Sequence, residues 1–173
     1  RVEVRKGPAS LQYGSDAMGG VLEIKQLPPP LDNQLFGEVN LLSKTNNNLW
    51  GGSVMLGIKK NAWYIQTRFT EQHFGDYRVP TDSIVYLTQR IPIYNRRMKN
   101  TAGMERDASA SVSYRKSAYQ GKLFLSNAYQ KVGFFPGAHG IPDATRVQDD
   151  GNSRNIDLPY SKVNHLKIQF RQQ

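Results

Sequence analysis

The chain contains no cysteine among its 173 residues, so neither a disulfide framework nor a thiolate metal site can form. No apolar run approaches the roughly 18 residues that a membrane-crossing helix needs. That excludes helical membrane proteins but leaves β-barrels open, because barrel strands alternate and look polar on average. No 3.6-residue periodicity competes anywhere along the chain, so an α-helical fold is not expected. Acidic residues are scarce: 14 Asp and Glu stand against 23 Lys and Arg, a net charge of +9. An excess of cations invites nucleic acid or anionic ligands. Here the cations are spread along the chain, with small clusters at Lys59-Lys60 and Arg96-Arg97. No basic helix, zinc finger or RNA-binding signature accompanies them, and nucleic acid is not an expected partner.

Catalytic patterns are missing as well. The histidines, His73, His139 and His165, have no metalloprotease spacing. The first two fall in expected loops and the third on a polar strand face. The serines lie in strands or turns, without a nucleophile elbow. Asp149-Asp150-Gly151-Asn152 lacks the ligand spacing of an EF-hand. No enzymatic activity, metal or cofactor is expected. There is no signal peptide pattern, no fixed-length repeat and no low-complexity tract beyond Pro28-Pro29-Pro30. Both ends, Arg1-Val2-Glu3-Val4 and Ile168-Gln169-Phe170-Arg171, read as strand. The chain is expected to be a piece of a longer protein.

What the sequence does carry is a period of two, the mark of half-buried strands. Leu35, Gly37, Val39 and Leu41 alternate with Glu38, Asn40 and Lys44, with Phe36 and Leu42 as apolar exceptions. Trp50, Gly52, Val54, Leu56 and Ile58 alternate with Gly51, Ser53, Met55, Gly57 and Lys59. The third strand is the cleanest: Trp63, Ile65, Thr67 and Phe69 against Tyr64, Gln66, Arg68 and Thr70. Ala108 to Tyr114, Leu123 to Tyr129 and Asn164 to Phe170 continue the pattern. The connections run short, short, long, short, long. The long ones are expected over about 73–107, with a strand-like run Ile84-Val85-Tyr86-Leu87 inside, and over about 134–160. Alternation alone fits a soluble β-sandwich too. Links that are long only on every second crossing, and rings at strand ends (Trp50, Trp63, Tyr114, Tyr119), fit a transmembrane barrel better.

The most informative segment precedes these strands. Between Gly7 and Gly20 lie four glycines and a proline, closed by the apolar run Val21-Leu22-Glu23-Ile24. Glycine opens backbone angles closed to other residues and proline fixes φ, so a sharply turned loop handing into a strand is predicted. Val2-Glu3-Val4, Gly7-Pro8-Ala9-Ser10, Tyr13-Gly14 and Gly19-Gly20-Val21 with Ile24 occur in an order that resembles the close of the plug domain in TonB-dependent outer-membrane receptors. Lys6 stands where that family usually has arginine, and Arg5 where it often has an apolar residue.

The resemblance implies a plug end over residues 1–27, a proline-rich linker over 28–33, and the first part of an all-β, antiparallel plugged barrel over 34–173. Six strands cannot close a barrel of about 22. The implied activity is import of a bulky, scarce ligand across the bacterial outer membrane, energised by TonB through a receptor region outside this chain. A ferric siderophore or similar iron complex is the first expectation. Haem, cobalamin or glycan import, or a soluble binding module, are the alternatives. The plug-motif residues are Lys6, Gly7, Pro8, Tyr13, Gly14, Gly19 and Gly20. Ligand contacts are expected from the two long loops. Tyr77, Arg78, Arg96 and Arg97 combine rings with permanent cations, which suits an anionic, partly aromatic ligand. Phe134, Phe135 and His139 could serve haem similarly. Outer-membrane lipid is the remaining expected partner.

Overall fold

The computed structural model describes residues 2–7, 13–14, 19–24, 33–140, 144–148 and 151–172. Pro8, the linker prolines at 28–30, and Asp149 and Asp150 lie outside the described residues. The chain divides into two compact units, residues 1–31 and 32–173, so the division falls inside the expected linker.

In the first unit, β1 (Val2–Lys6) pairs antiparallel with β2 (Gly20–Ile24), from Val2 opposite Ile24 to Lys6 opposite Gly20. Gly20 has φ +137, and a Cβ there would come within 2.7 Å of the Arg5 carbonyl oxygen, so only glycine fits this close approach. Arg5 pairs with Glu23 across the strands at 3.1 Å, and its guanidinium lies over the Tyr13 ring at 5.9 Å. The charge at Arg5 is thus matched within its own hairpin.

The second unit is built on one six-stranded antiparallel sheet: β3 (Gln34–Lys44), β4 (Leu49–Lys60), β5 (Trp63–Phe74), β8 (Gly103–Lys116), β9 (Tyr119–Gly133) and β10 (Tyr160–Gln172). Neighbours in space are neighbours in sequence, apart from a small hairpin, β6 (Ser83–Tyr86) and β7 (Gln89–Pro92), set inside the long connection. The run predicted at Ile84–Leu87 becomes β6. The hairpin turns at Leu87 and Thr88, both with positive φ, which matches the right-handed strand twist.

Alternation decides the faces, and register aligns them. The row Val39, Val54, Phe69, Ala108, Asn127, Leu166 crosses all six strands. So does the row Leu35, Ile58, Ile65, Val112, Leu123, Phe170. Between them run Gly37, Leu56, Thr67, Ala110, Leu125 and Ile168. The opposite face carries rows such as Glu38, Met55, Arg68, Ser109, Ser126, Lys167.

In the four central strands exposure runs opposite to that of a soluble sheet, whereas β3 and β10 are largely exposed on both faces. Trp63, Ile65 and Phe69 are 51%, 41% and 45% exposed, whereas Tyr64, Gln66 and Arg68 between them are half-buried. Met55 and Ser111, on the polar face, are buried. Polar side chains there bond one another: Arg68 to Glu38 at 3.7 Å, Asn40 to Ser53 at 3.4 Å, Gln130 to Glu105 at 2.6 Å. The apolar exception Phe36 stacks on Tyr64 at 6.2 Å and lies over Gly57, where a Cβ would come within 2.2 Å of a ring carbon.

Strands β5 and β8 reach further than the alternation indicated, to Phe74 and back to Gly103. His73 is therefore a strand residue, stacked on Trp50 at 4.7 Å, and not a loop residue. Polar pairs carry this extension: Glu71 accepts from Arg106 at 2.7 Å and meets His73 at 3.0 Å. A hydrophobicity pattern does not register them.

Gly57→Ala must expel the Phe36 ring and should cost about 1–3 kcal/mol in denaturant unfolding. Combined with Phe36→Ala, its cost should shrink, because the two substitutions act on one contact.

Candidate functional site

The two ends of the sheet differ. At one end β4 and β5 are joined through Asn61-Ala62, and β8 and β9 through Ser117-Ala118. Asn61 and Ser117 take left-handed φ of 52° and 51°. At the other end lie the turn at 45–48 and the long connections at 75–102 and 134–159. This is the distribution of short and long links that the sequence pattern predicts.

The three connections at the long end are knit together. The Gly75 N–H donates to the Asn47 carbonyl at 2.8 Å, and the Asn46 side chain both donates to and accepts from the Arg78 main chain, each at 3.1 Å. The Asp76 N–H donates to the Ser153 carbonyl at 2.7 Å, and Arg154 reaches the Asn48 carbonyl at 2.9 Å.

Two buried polar side chains add to this. Asp76 is 2% exposed, and its Oδ1 accepts from the N–H groups of Thr101 and Ala102 at 2.7 and 2.9 Å. A buried carboxylate is tolerated because it is hydrogen-bonded in this way. Asn100 is likewise buried; its Nδ2 donates to the carbonyls of Phe134, Asp157 and Pro159 at 2.9, 3.0 and 2.9 Å. Its Oδ1 accepts from the Asp157 N–H at 2.8 Å. Gly133 is required beside it, since a Cβ there would lie 2.5 Å from that oxygen. Ile91, Ile93, Ala102 and Val147, all in the long connections, are buried apolar side chains of this end.

Of the residues expected to meet ligand, Tyr77, Arg78, Arg96 and Phe134 are exposed on this layer. Arg78 and Arg97 sit opposite each other in an isolated antiparallel bridge. Arg97 is buried, and its Nη1 donates to the Asp76 carbonyl at 2.6 Å, so it ties the two limbs of the connection together. Phe135 is half-buried and packs over Gly137. His139 belongs to the 3-10 turn Pro136–His139, and its side chain lies outside the described residues. In the first unit, Lys6, Gly7, Gly19 and Gly20 lie at the closed end of the β1–β2 pair.

The structure also forms a cleft of about 230 Å³ lined by Lys99, Asn100, Pro136, Arg146, Asp157 and Leu158. Its cations come from both long connections. Lys99 lies within a run already marked by Arg96 and Arg97, whereas nothing in the local sequence singles out Arg146 or Asp157. Tertiary contacts bring them together.

No protein-family model, no curated protein and no solved structure matches this chain.

Asp76→Ala leaves the N–H groups of Thr101 and Ala102 without their acceptor. It should cost about 2 kcal/mol or more. Amide exchange measured by mass spectrometry should accelerate at residues 76–102, with the β3–β4 pair unaffected.

Proposed function

We propose that this chain is the end of the plug and the first six barrel strands of a TonB-dependent outer-membrane receptor. It serves to import a bulky, scarce ligand, in the first place a ferric siderophore or similar iron complex. The observation that carries this reading is the inverted exposure of the sheet. Leucine, isoleucine, valine and phenylalanine stand outward in row after row, while the polar face is the more enclosed. In a soluble sandwich the apolar rows would face a second sheet about 10 Å away. In a barrel they face lipid and the polar rows line the interior.

Dimensions support the same reading. The Trp50 row and the Trp63 row are ten residues apart along β4, from 50 to 60. Ten strand residues span about 34 Å, and a tilt of 35–45° reduces this to about 24–28 Å, close to the roughly 25 Å apolar band between aromatic girdles. Both rows carry rings: Trp50 on His73 at one end, Trp63 against Tyr114 at 4.8 Å at the other. The paired charges Glu71 and Arg106 lie near the upper edge of that band.

In this orientation the short turns are periplasmic and the long, knitted connections extracellular. Tyr77, Arg78 and Arg96, together with the cleft holding Lys99 and Arg146, offer rings and cations to an anionic chelate. The asparagine and aspartate bonds beneath hold that surface in place, which limits the entropy lost on binding. The plug-like order of the first unit supplies the link to TonB, whose coupling would act on a receptor segment outside this chain.

A strain lacking the full-length protein should lose uptake of its radiolabelled ferric chelate under iron limitation. A strain lacking TonB should lose it equally. Uptake that persists without TonB contradicts the proposal. In the full-length protein, Arg78→Ala with Arg96→Ala should weaken binding of that chelate by roughly 10–100-fold, as expected for charged hydrogen bonds. Unchanged affinity would remove these residues from the site.

A further inference from the structure

The turn end of the apolar face carries a second feature, unrelated to the loop surface. An open groove of about 500 Å³ lies there, lined chiefly by Trp63, Tyr114, Tyr119, Leu123 and Phe170. Tyr114 packs against Trp63 at 4.8 Å and against Tyr119 at 6.2 Å, so three rings form one wall. Gly121, opposite Tyr114 in register, has no side chain to fill the space between them and Phe170. A Cβ on Gly121 would lie 3.1 Å from the Tyr119 hydroxyl.

Lys122 also lines the groove, and two further lysines are register neighbours of its rings. Lys60 is the last residue of β4 and stands opposite Trp63; Lys116 is the last residue of β8 and stands opposite Tyr119. Register places both on the apolar face, each in the same row as a ring, and both are exposed. The two turn segments, residues 59–64 and 113–122, hold five lysines and arginines and no aspartate or glutamate. At the loop end of the sheet the cations are engaged differently. Lys131 lies over Tyr160 at 4.6 Å, Lys162 over Tyr129 at 6.0 Å, and Arg106 is bound to Glu71. An open apolar groove walled by rings, with cations in the neighbouring register positions, is complementary to an acyl chain ending in a negative headgroup.

The geometry points to this groove as a seat for an anionic phospholipid of the leaflet on the turn side, with an acyl chain along Trp63, Leu123 and Phe170 and its phosphate between Lys60 and Lys116. This rests on the membrane reading above. Lipid held there would fix the height of the sheet in the bilayer and cover the ring cluster. Zwitterionic lipid would fill the same slot, but its own ammonium offsets the attraction to the lysines.

The test uses the full-length protein reconstituted in phosphatidylcholine vesicles doped with brominated phosphatidylglycerol or, separately, brominated phosphatidylcholine. The signal is the fluorescence quenching that disappears in Trp63→Phe. Quenching by the brominated phosphatidylglycerol should be several-fold stronger at equal mole fraction, since a cation near the surface enriches anionic lipid on the order of fivefold. Lys60→Gln with Lys116→Gln should remove that preference and leave quenching by the phosphatidylcholine unchanged. Equal quenching by both lipids, or a preference that survives the double substitution, overturns the inference while the membrane reading stands. Absence of Trp63-dependent quenching by either lipid removes both.

Discussion

A sheet six strands wide whose leucines, isoleucines and phenylalanines point away from the rest of its own unit needs an apolar medium on that side. Each such side chain, left in water, forgoes about 1.5–3 kcal/mol of burial free energy. Here the rows that contain Leu35, Ile58, Ile65 and Phe170, or Val39, Val54, Phe69 and Leu166, repeat this at every strand. The face behind them is too polar to exchange roles, because a one-residue slip of any strand would turn Arg68, Gln66 or Lys167 outward. Register and environment therefore fix each other. The same constraint explains why the strands are long, from 11 to 15 residues, and why polar ladders rather than packed apolar groups occupy the enclosed face.

Once the sheet is fixed in this way, its two ends are free to differ. The turn end needs only to reverse the chain, and asparagine or serine in a left-handed conformation does so in two residues. The loop end has many backbone groups to satisfy away from the ladder. Asp76 and Asn100 answer that need, each gathering main-chain donors or carbonyls from distant positions. A surface built on such anchors can present Tyr77, Arg78 and Arg96 in a stable arrangement, which is what the proposed recognition of an anionic chelate requires.

The sheet was legible because alternation is a local property. Trp63 to Thr70 reads as a strand from its residues alone, and all six strand centres fall where the alternation puts them. The turn-side ends were legible, whereas the loop-side ends of β5 and β8 were not. The stretch from His73 looks like the start of a loop, and it stays in the ladder with Trp50 stacked on His73 and Arg106 bound to Glu71. The loop residues were half legible. Arginine and tyrosine mark a binding surface by chemistry, but the sequence does not say which arginine turns inward. Arg97 does so because the Asp76 carbonyl lies beneath it, while Arg96, with a left-handed φ of 56°, remains outside. The cleft partner Arg146 is distant in sequence from Lys99 and had no local mark at all.

The proposed membrane location requires the apolar rows to face lipid. This chain has no cysteine, so a direct measurement needs only the replacement of any cysteine elsewhere: single cysteines at each position from 63 to 70 of the full-length, membrane-reconstituted protein, spin-labelled, with accessibility to oxygen and to a water-soluble nickel chelate. The account predicts a period of two, with oxygen favoured at 63, 65, 67 and 69 and the chelate favoured at 64, 66, 68 and 70. Labels at 63, 65 and 69 that are immobile and shielded from both reagents would place that face against protein and contradict it.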